Sequence, residues 1–201
     1  MQEVIFDVET QKLFEETKTG APEELGVSIV SAYIRRLDDN YKEIEGEMFS
    51  FWEDELEKLW EMFRNADRII GFNSLGFDIP VLSPYASFPL RKLNHFDIMD
   101  EFKKIAGRRV SLNTLARDNL GVKKIDVGTN AVLYWRKKDA GSLKKLRNYC
   151  ESDVDITKNV YDHVLSNNEL KFKDKWNTIR KIEIDFSYPE EKQEEEQIEL
   201  F

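Results

Sequence analysis

The sequence is poor in the residues that build disulfides and zinc sites. It has one cysteine, Cys150, and two histidines among 201 residues. A single cysteine cannot form an internal disulfide, and a zinc site needs more cysteine and histidine ligands than the chain offers. The composition therefore argues against a disulfide-stabilised secreted domain and against a zinc protein.

Long apolar runs are also absent. No segment approaches the roughly 18 consecutive apolar residues that a membrane span needs. The N-terminus shows no charged and then apolar leader, because the first strand-like segment already carries Asp7 and Glu9. We therefore expect a cytoplasmic protein in a reducing compartment, with no membrane partner.

The charge of the chain is distributed unevenly. The net charge is -9, which taken alone argues against a protein that binds polyanions. Between residues 103 and 147, however, 13 Lys and Arg face three acids, whereas residues 183–201 hold eight acids and one Lys. The basic middle and the acidic end therefore indicate different functions.

The apolar pattern predicts one α/β domain, because 41% apolar and 12% aromatic residues suffice for a core. Strands are expected at 2–9, 27–37, 42–52 and 67–73 and in "NHFDI", and helices at 53–66, in "DIPVLSPYA", "MDEFKKIA" and "SLNTLARDNLG", and at 140–166. A last strand or hairpin is expected in "ELKFKDKWNTIRKIEIDF". This order indicates a central mixed β-sheet flanked by α-helices. We assign residues 1–186 to this domain and 187–201 to an acidic flexible tail.

Carboxylates occur where apolar residues should continue in three separate segments. Alternate residues of a strand share a face, so Asp7 and Glu9 lie side by side at the end of the first strand. Asp78 follows the fourth strand in "GFNSLGFDIPVL", a pattern too long to arise readily by chance, although Asp78 would also serve as a simple helix N-cap. Asp153 lies one helical turn after Tyr149, within the apolar stripe of the last helix.

These four carboxylates need a common counter-charge if they meet in the fold. Ligand sets made only of oxygen suit Mg²⁺ or Mn²⁺. We therefore predict a divalent metal site formed by Asp7, Glu9, Asp78 and Asp153. The neighbouring Asp155 lies off the apolar stripe and is expected to be a solvated surface acid.

The three segments together resemble a known family. "FDVET", "GFNSLGFDIPVL" and "YCESDVDIT", in this order, are similar to the three exonuclease motifs of the DEDDy subgroup of 3′-to-5′ exonucleases, in the ribonuclease-H-like superfamily. The resemblance spans about residues 4 to 165. It implies the ribonuclease-H-like fold and hydrolysis of terminal phosphodiesters with two Mg²⁺ or Mn²⁺ ions, releasing nucleoside monophosphates.

The resemblance also implies a role for each matched residue of the reaction site. Asp7 would touch both ions, and Glu9 and Asp153 would hold the ion beside the attacking water. Asp78 would act through the surroundings of the second ion, and Tyr149 would orient the water. The sister subgroup has His five residues before the last Asp, where this chain has Asn148, so the sequence matches the tyrosine subgroup.

Three more residues are implied in substrate binding. Thr10 would meet the terminal sugar through its backbone, and Asn73 and Phe77 would line the nucleotide pocket, although Phe77 would equally fit a core position. The basic segment 103–147, with Tyr134 and Trp135 among its cations, would follow a phosphate backbone while the aromatic rings stack on bases. The alternative for this segment is a set of solvated helix faces.

The chain ends on "QIELF", an apolar finish after a run of Glu. This pentapeptide resembles the bacterial sliding-clamp-binding motif, which would make Gln197, Ile198, Leu200 and Phe201 contacts to a clamp. The alternative is that these residues pack on their own domain or bind nothing.

The sequence therefore predicts a metal-dependent 3′-to-5′ exonuclease acting on single-stranded nucleic acid, with DNA favoured if the clamp motif is real. One alternative is a 3′-to-5′ exoribonuclease that trims RNA ends. The other is a non-catalytic nucleic-acid-binding module associated with a clamp. The sequence does not give the oligomeric state.

Overall fold

The computed structural model describes residues 1–122, 128–174 and 176–189. Lys123 and Lys124 of the basic segment lie outside the described residues. So do residues 190–201 of the predicted tail, which include the clamp-motif residues Gln197, Ile198, Leu200 and Phe201. None of the described helices is long and apolar enough to cross a membrane.

A five-stranded mixed sheet forms the centre of the fold, as predicted. Its strands are β1 (Gln2–Thr10), β2 (Val27–Leu37), β3 (Glu43–Trp52), β4 (Arg68–Gly71) and β5 (His95–Asp97), in the order β3-β2-β1-β4-β5. The strand β1 pairs antiparallel with β2 and parallel with β4. It is apolar on both faces, with Val4 and Phe6 in one core cluster and Ile5 in another, which explains its central place.

Helices cover both faces of this sheet. They are α1 (Leu56–Asn65), α2 (Asp78–Leu82), α3 (Ile98–Ala106), α4 (Leu112–Leu115), α5 (Gly128–Lys137) and α6 (Ala140–Asn167). Residues of α1 and α2 join the core cluster of Phe6, and residues of α3, α4 and α6 join the cluster of Ile5. The fold therefore has three layers, with the sheet between two helical layers.

Two elements differ from the sequence-based expectation, and the predicted C-terminal hairpin is confirmed. The strand β4 ends at Gly71, so Asn73 lies in the following loop and not in the strand. The C-terminal hairpin, β6 (Glu169–Lys173) with β7 (Ile179–Glu183), forms its own two-stranded sheet, because it follows the far end of α6. The helix α5 was not predicted, since its apolar residues form one short continuous run, residues 131–135, without the spacing of a helix with one apolar face.

A buried ion pair joins β1, β2 and α6 at the end of β1 opposite the predicted site. Glu3 is fully buried and Arg35 is 4% exposed, with an N–O distance of 2.7 Å. Arg35 also contacts Asp162 of α6 at 2.8 Å. The hydroxyls of Tyr161 and Tyr188 donate to the other oxygen of Glu3, at 3.1 and 2.8 Å. This network fixes α6 relative to β1.

Replacing Arg35 tests the network. Arg35→Met would leave the carboxylate of Glu3 buried without its cation, so we expect the free energy of unfolding to fall by about 3–5 kcal/mol in urea titrations. The matched control is Arg36→Met, whose exposed ion pair with Glu45 predicts a loss of at most about 1 kcal/mol. Equal losses in the two variants would contradict the proposed role of the network.

Candidate metal and nucleic-acid site

Three of the predicted carboxylates meet where β1 packs against α6. Ligand oxygens of Asp7, Glu9 and Asp153 all lie within 4.8 Å of one another. Glu9 is 9% and Asp153 is 3% exposed, so the charges are largely withdrawn from water. The thiol of Cys150, three residues before Asp153, donates to the backbone oxygen of Asp7 at 3.4 Å, which shows how closely α6 approaches β1.

The site forms here because two periodicities coincide. Along β1, Asp7 and Glu9 lie on the face of Ile5, the face that α6 covers. On α6, Asp153 is one turn after Tyr149, and both are buried against the sheet. The strand and the helix thus direct their carboxylates to one point.

Asp78 lies beside this group of three and is held by β1. Its Oδ1 accepts a hydrogen bond of 3.0 Å from the backbone N–H of Val8, the residue between Asp7 and Glu9. Burial, together with the nearby carboxylates of Asp97 and Asp153, raises the pKa of Asp78 to about 7. Asp78 therefore binds a proton far more readily than an exposed aspartate does.

Tyr149 places a hydroxyl at the same point. Its side chain is 6% exposed and forms a hydrogen bond with Asp153. Burial raises the pKa of this phenol, and the charges of Asp153, Glu9 and Asp7 raise it too. The hydroxyl consequently keeps its proton at neutral pH and remains a hydrogen-bond donor.

The carboxylates open into a cleft of about 540 Å³. The predicted substrate residues Thr10, Asn73 and Phe77 all line it. Phe77 is half-buried and packs against the core, so one side of its ring supports the fold while the other faces the cleft. The fold therefore brings all eight predicted catalytic and substrate residues within the described part of the chain to one cleft.

The cleft also contains residues that the sequence did not single out. Its lining includes Lys12, Leu13 and Phe14 from the loop after β1 and Val132 from α5. Phe14 is 46% exposed, and its ring centroid lies 5.9 Å from that of Phe77. The signal that was missed is an isolated aromatic residue in an otherwise polar loop.

Asp97, at the end of β5, is a further residue that the sequence did not reveal. Its buried carboxylate accepts hydrogen bonds from the backbone N–H groups of Asn73 at 2.8 Å and Leu75 at 2.9 Å. It also caps α3 through the N–H of Met99 at 3.0 Å. Asp97 therefore fixes the loop that presents Asn73 and Phe77, without lining the cleft itself.

A sequence model of the RNase H superfamily matches residues 4–165, which is most of the chain. The chain belongs to the RNase H superfamily. No match was found among curated proteins.

Three solved structures align with this chain at low sequence identity. The family B DNA polymerase of the hyperthermophilic archaeon Pyrobaculum calidifontis aligns with a TM-score of 0.57 and 18% identity over 82% of this chain. Two complexes of Escherichia coli exonuclease I, a zinc-bound form with single-stranded DNA and one with a dA16 oligonucleotide, align less well. Their TM-scores are 0.45 and 0.46, with 14% and 15% identity over 83% and 82% of this chain. The chain spans 24% of the polymerase and 41% of each exonuclease I chain.

The raised pKa of Asp78 predicts how stability depends on pH. The unfolded pKa is about 3.9, so between about pH 4 and pH 7 the folded state holds a proton that the unfolded state has lost. This contribution is complete below the unfolded pKa and disappears as the pH rises through the folded value. In a chelator, we expect the Tm of the wild-type protein to fall from pH 5 to pH 8 and the substitution Asp78→Asn to flatten this fall.

The control is Asp39→Asn, which alters an exposed turn and should keep the wild-type dependence of Tm on pH. A wild-type dependence in Asp78→Asn would contradict the raised pKa of Asp78.

Asp97→Asn tests whether Asp97 holds the loop. An amide has one acceptor oxygen where the carboxylate has two, so backbone N–H groups of the loop would lose their partner. We expect hydrogen exchange at Asn73 and Leu75 to accelerate about tenfold or more, since that corresponds to about 1.4 kcal/mol of lost protection. Asp100→Asn, in the first turn of α3, is the control and should leave exchange in the loop unchanged. Equal exchange in both variants would show that Asp97 does not fix the loop.

Proposed function

We propose that this protein is a divalent-metal-dependent 3′-to-5′ exonuclease of the DEDDy type, acting on single-stranded nucleic acid with DNA as the first substrate to test. The observation that supports it most is the convergence of Asp7, Glu9 and Asp153 with Tyr149 in one cleft. Membership of the RNase H superfamily supports this proposal, because the matched residues 4–165 contain all three acidic segments.

The donor set suits Mg²⁺ or Mn²⁺. Asp7, Glu9 and Asp153 offer three carboxylate oxygens within 4.8 Å, and in the described part of the chain no other group of three acidic, His or Cys side chains gathers in this way. These residues would hold two ions, with Asp78 beside them. Bound divalent ions would neutralise the carboxylates and stabilise the charge that develops on the phosphate during hydrolysis.

Residues of the chain itself would orient the reactants. Tyr149 remains protonated and forms its hydrogen bond with Asp153, so its hydroxyl would donate to the attacking water once a bound ion takes up the carboxylate of Asp153. Thr10 is buried and lines the cleft beside the carboxylates, and its hydroxyl already donates to the backbone oxygen of Lys12, so its backbone and not its side chain would meet a sugar. Asn73 and Phe77 would hold the terminal nucleotide against the cleft wall.

The direction of digestion and the type of nucleic acid are tested together. We expect a 5′-labelled single-stranded DNA oligomer, in Mn²⁺ or Mg²⁺, to shorten from its 3′ end one nucleotide at a time and to release nucleoside 5′-monophosphates. Asp7→Asn and Asp153→Asn should lower the rate by about 1,000-fold or more, and Tyr149→Phe by about 10- to 100-fold, because it loses only a donor.

The matched control is Asp155→Asn, which alters an exposed acid two residues from Asp153 and should keep the wild-type rate. Faster digestion of an RNA oligomer of the same sequence would favour the exoribonuclease. Binding of the oligomer without hydrolysis in any metal would favour the non-catalytic module. Full activity of Asp153→Asn would contradict the proposed site.

A further inference from the structure

Two tryptophans from different elements stack beside the cleft. Trp52 ends β3 and Trp135 lies on α5, and their ring centroids are 6.1 Å apart with an angle of 22° between the planes. Both are half-buried and pack on the cluster that contains Ile29 and Tyr149. The pair is therefore supported from below by the same cluster that supports the proposed reaction site.

Cations from α6 and from the short segment between α5 and α6 cover this pair. The guanidinium of Arg147 lies 5.4 Å from the ring centroid of Trp52, and the ammonium of Lys138 lies against the ring of Trp135. Lys145 lies 5.8 Å from the ring of Tyr134, next to Trp135 on α5. We call the group Trp52, Tyr134, Trp135, Lys138, Lys145 and Arg147 the tryptophan patch.

The surface around the patch is strongly basic. Residues 136–147 contain six Lys and Arg, all exposed, and one acid, Asp139. The carboxylate of Asp139 is already engaged as the N-cap of α6, where it accepts from the N–H and hydroxyl of Ser142. Arg136 pairs with Glu16 of the loop beside the cleft. The other five cations carry no ion pair with a carboxylate among the described contacts, which suits a polyanion.

The patch continues from the cleft along α5. Val132 lines the cleft, and Trp135 is three residues further along the helix, on the same side one turn away. The cluster on which the tryptophans pack contains Leu146 and Tyr149 of α6. A chain whose end lies at the carboxylates would thus meet the tryptophan patch next.

We propose that the tryptophan patch binds the internal nucleotides of a single-stranded nucleic acid whose 3′ end occupies the cleft. Lys138, Lys145 and Arg147 move from the ring faces to the phosphates, and the indole and phenol rings that they uncover stack on bases. Every base has a π-face, so this binding tolerates any sequence. The position of the 3′ end rests on the proposed exonuclease function, whereas the binding of the strand by the patch does not.

Binding measured in a chelator separates the patch from the reaction. We expect the triple variant Lys138→Gln, Lys145→Gln, Arg147→Gln to bind a fluorescent 12-nucleotide DNA about 10- to 100-fold more weakly at low salt. Its slope of log K against log salt should be smaller by about 2, since each lost contact to a single strand removes roughly 0.7. Affinity for a trinucleotide should stay within about twofold of wild type.

The control triple variant is Lys171→Gln, Arg180→Gln, Lys181→Gln, which removes three exposed cations from the β6–β7 sheet. This sheet follows the far end of α6, about 20 Å from Asp153 at 1.5 Å per residue. The control should bind the 12-mer like wild type. Equal losses in both triple variants, or a poly-glutamate peptide that binds the patch as tightly as the 12-mer, would overturn the proposal.

Intrinsic tryptophan fluorescence gives a second measurement of strand binding by the patch, with variants that leave the charge of the protein unchanged. Two of the four tryptophans lie in the patch, so stacking of bases should quench the emission of the wild-type protein. Trp135→Phe should lose a large share of that quenching, whereas Trp176→Phe, which alters the 70% exposed tryptophan of the hairpin, should keep it. Quenching that is the same in both variants would contradict the patch as a binding site, even if the exonuclease reaction is confirmed.

Discussion

The fold holds three carboxylates together at the edge of its own core. Asp7 and Glu9 belong to the central strand, and Asp153 belongs to the longest helix, so none of them can move apart without disrupting buried packing. Like charges within 4.8 Å in a partly dry site repel strongly. The repulsion is relieved by protons or by a cation, and the proposed hydrolysis would use a divalent cation.

The rest of the structure keeps this arrangement rigid. At one end of β1, the pair of Glu3 and Arg35 ties the strand to α6. At the other end, Asp78 accepts from the backbone of Val8, and Asp97 holds the loop before Asp78. Charged residues far from the cleft and hydrogen bonds behind it therefore position the reactive groups with no direct part in the proposed chemistry.

Periodicity predicted much of the fold and the centre of the site, because both the alternation along β1 and the i, i+4 step on α6 are local. The central sheet, the hairpin of β2 and β3 and the burial of Asp153 follow from it. Asp97 and the Glu3–Arg35 pair were missed because their partners lie 22 to 185 residues away in the chain, and Phe14 was missed because it lies in an irregular loop. The helix α5 was missed because its burial depends on tertiary packing against Ile29 and Tyr149 and not on its own apolar pattern.

The clamp motif, the tail boundary and the cytoplasmic location stay predictions.

The central claim is that a shared divalent cation balances the converging carboxylates. Crystals soaked in Mn²⁺ and measured at the manganese absorption edge test it most directly. The account predicts anomalous peaks in the cleft, with oxygens of Asp7, Glu9 and Asp153 at bonding distance. Carboxylates that lie as described here with no peak among them, at Mn²⁺ concentrations that support nuclease activity, would contradict it.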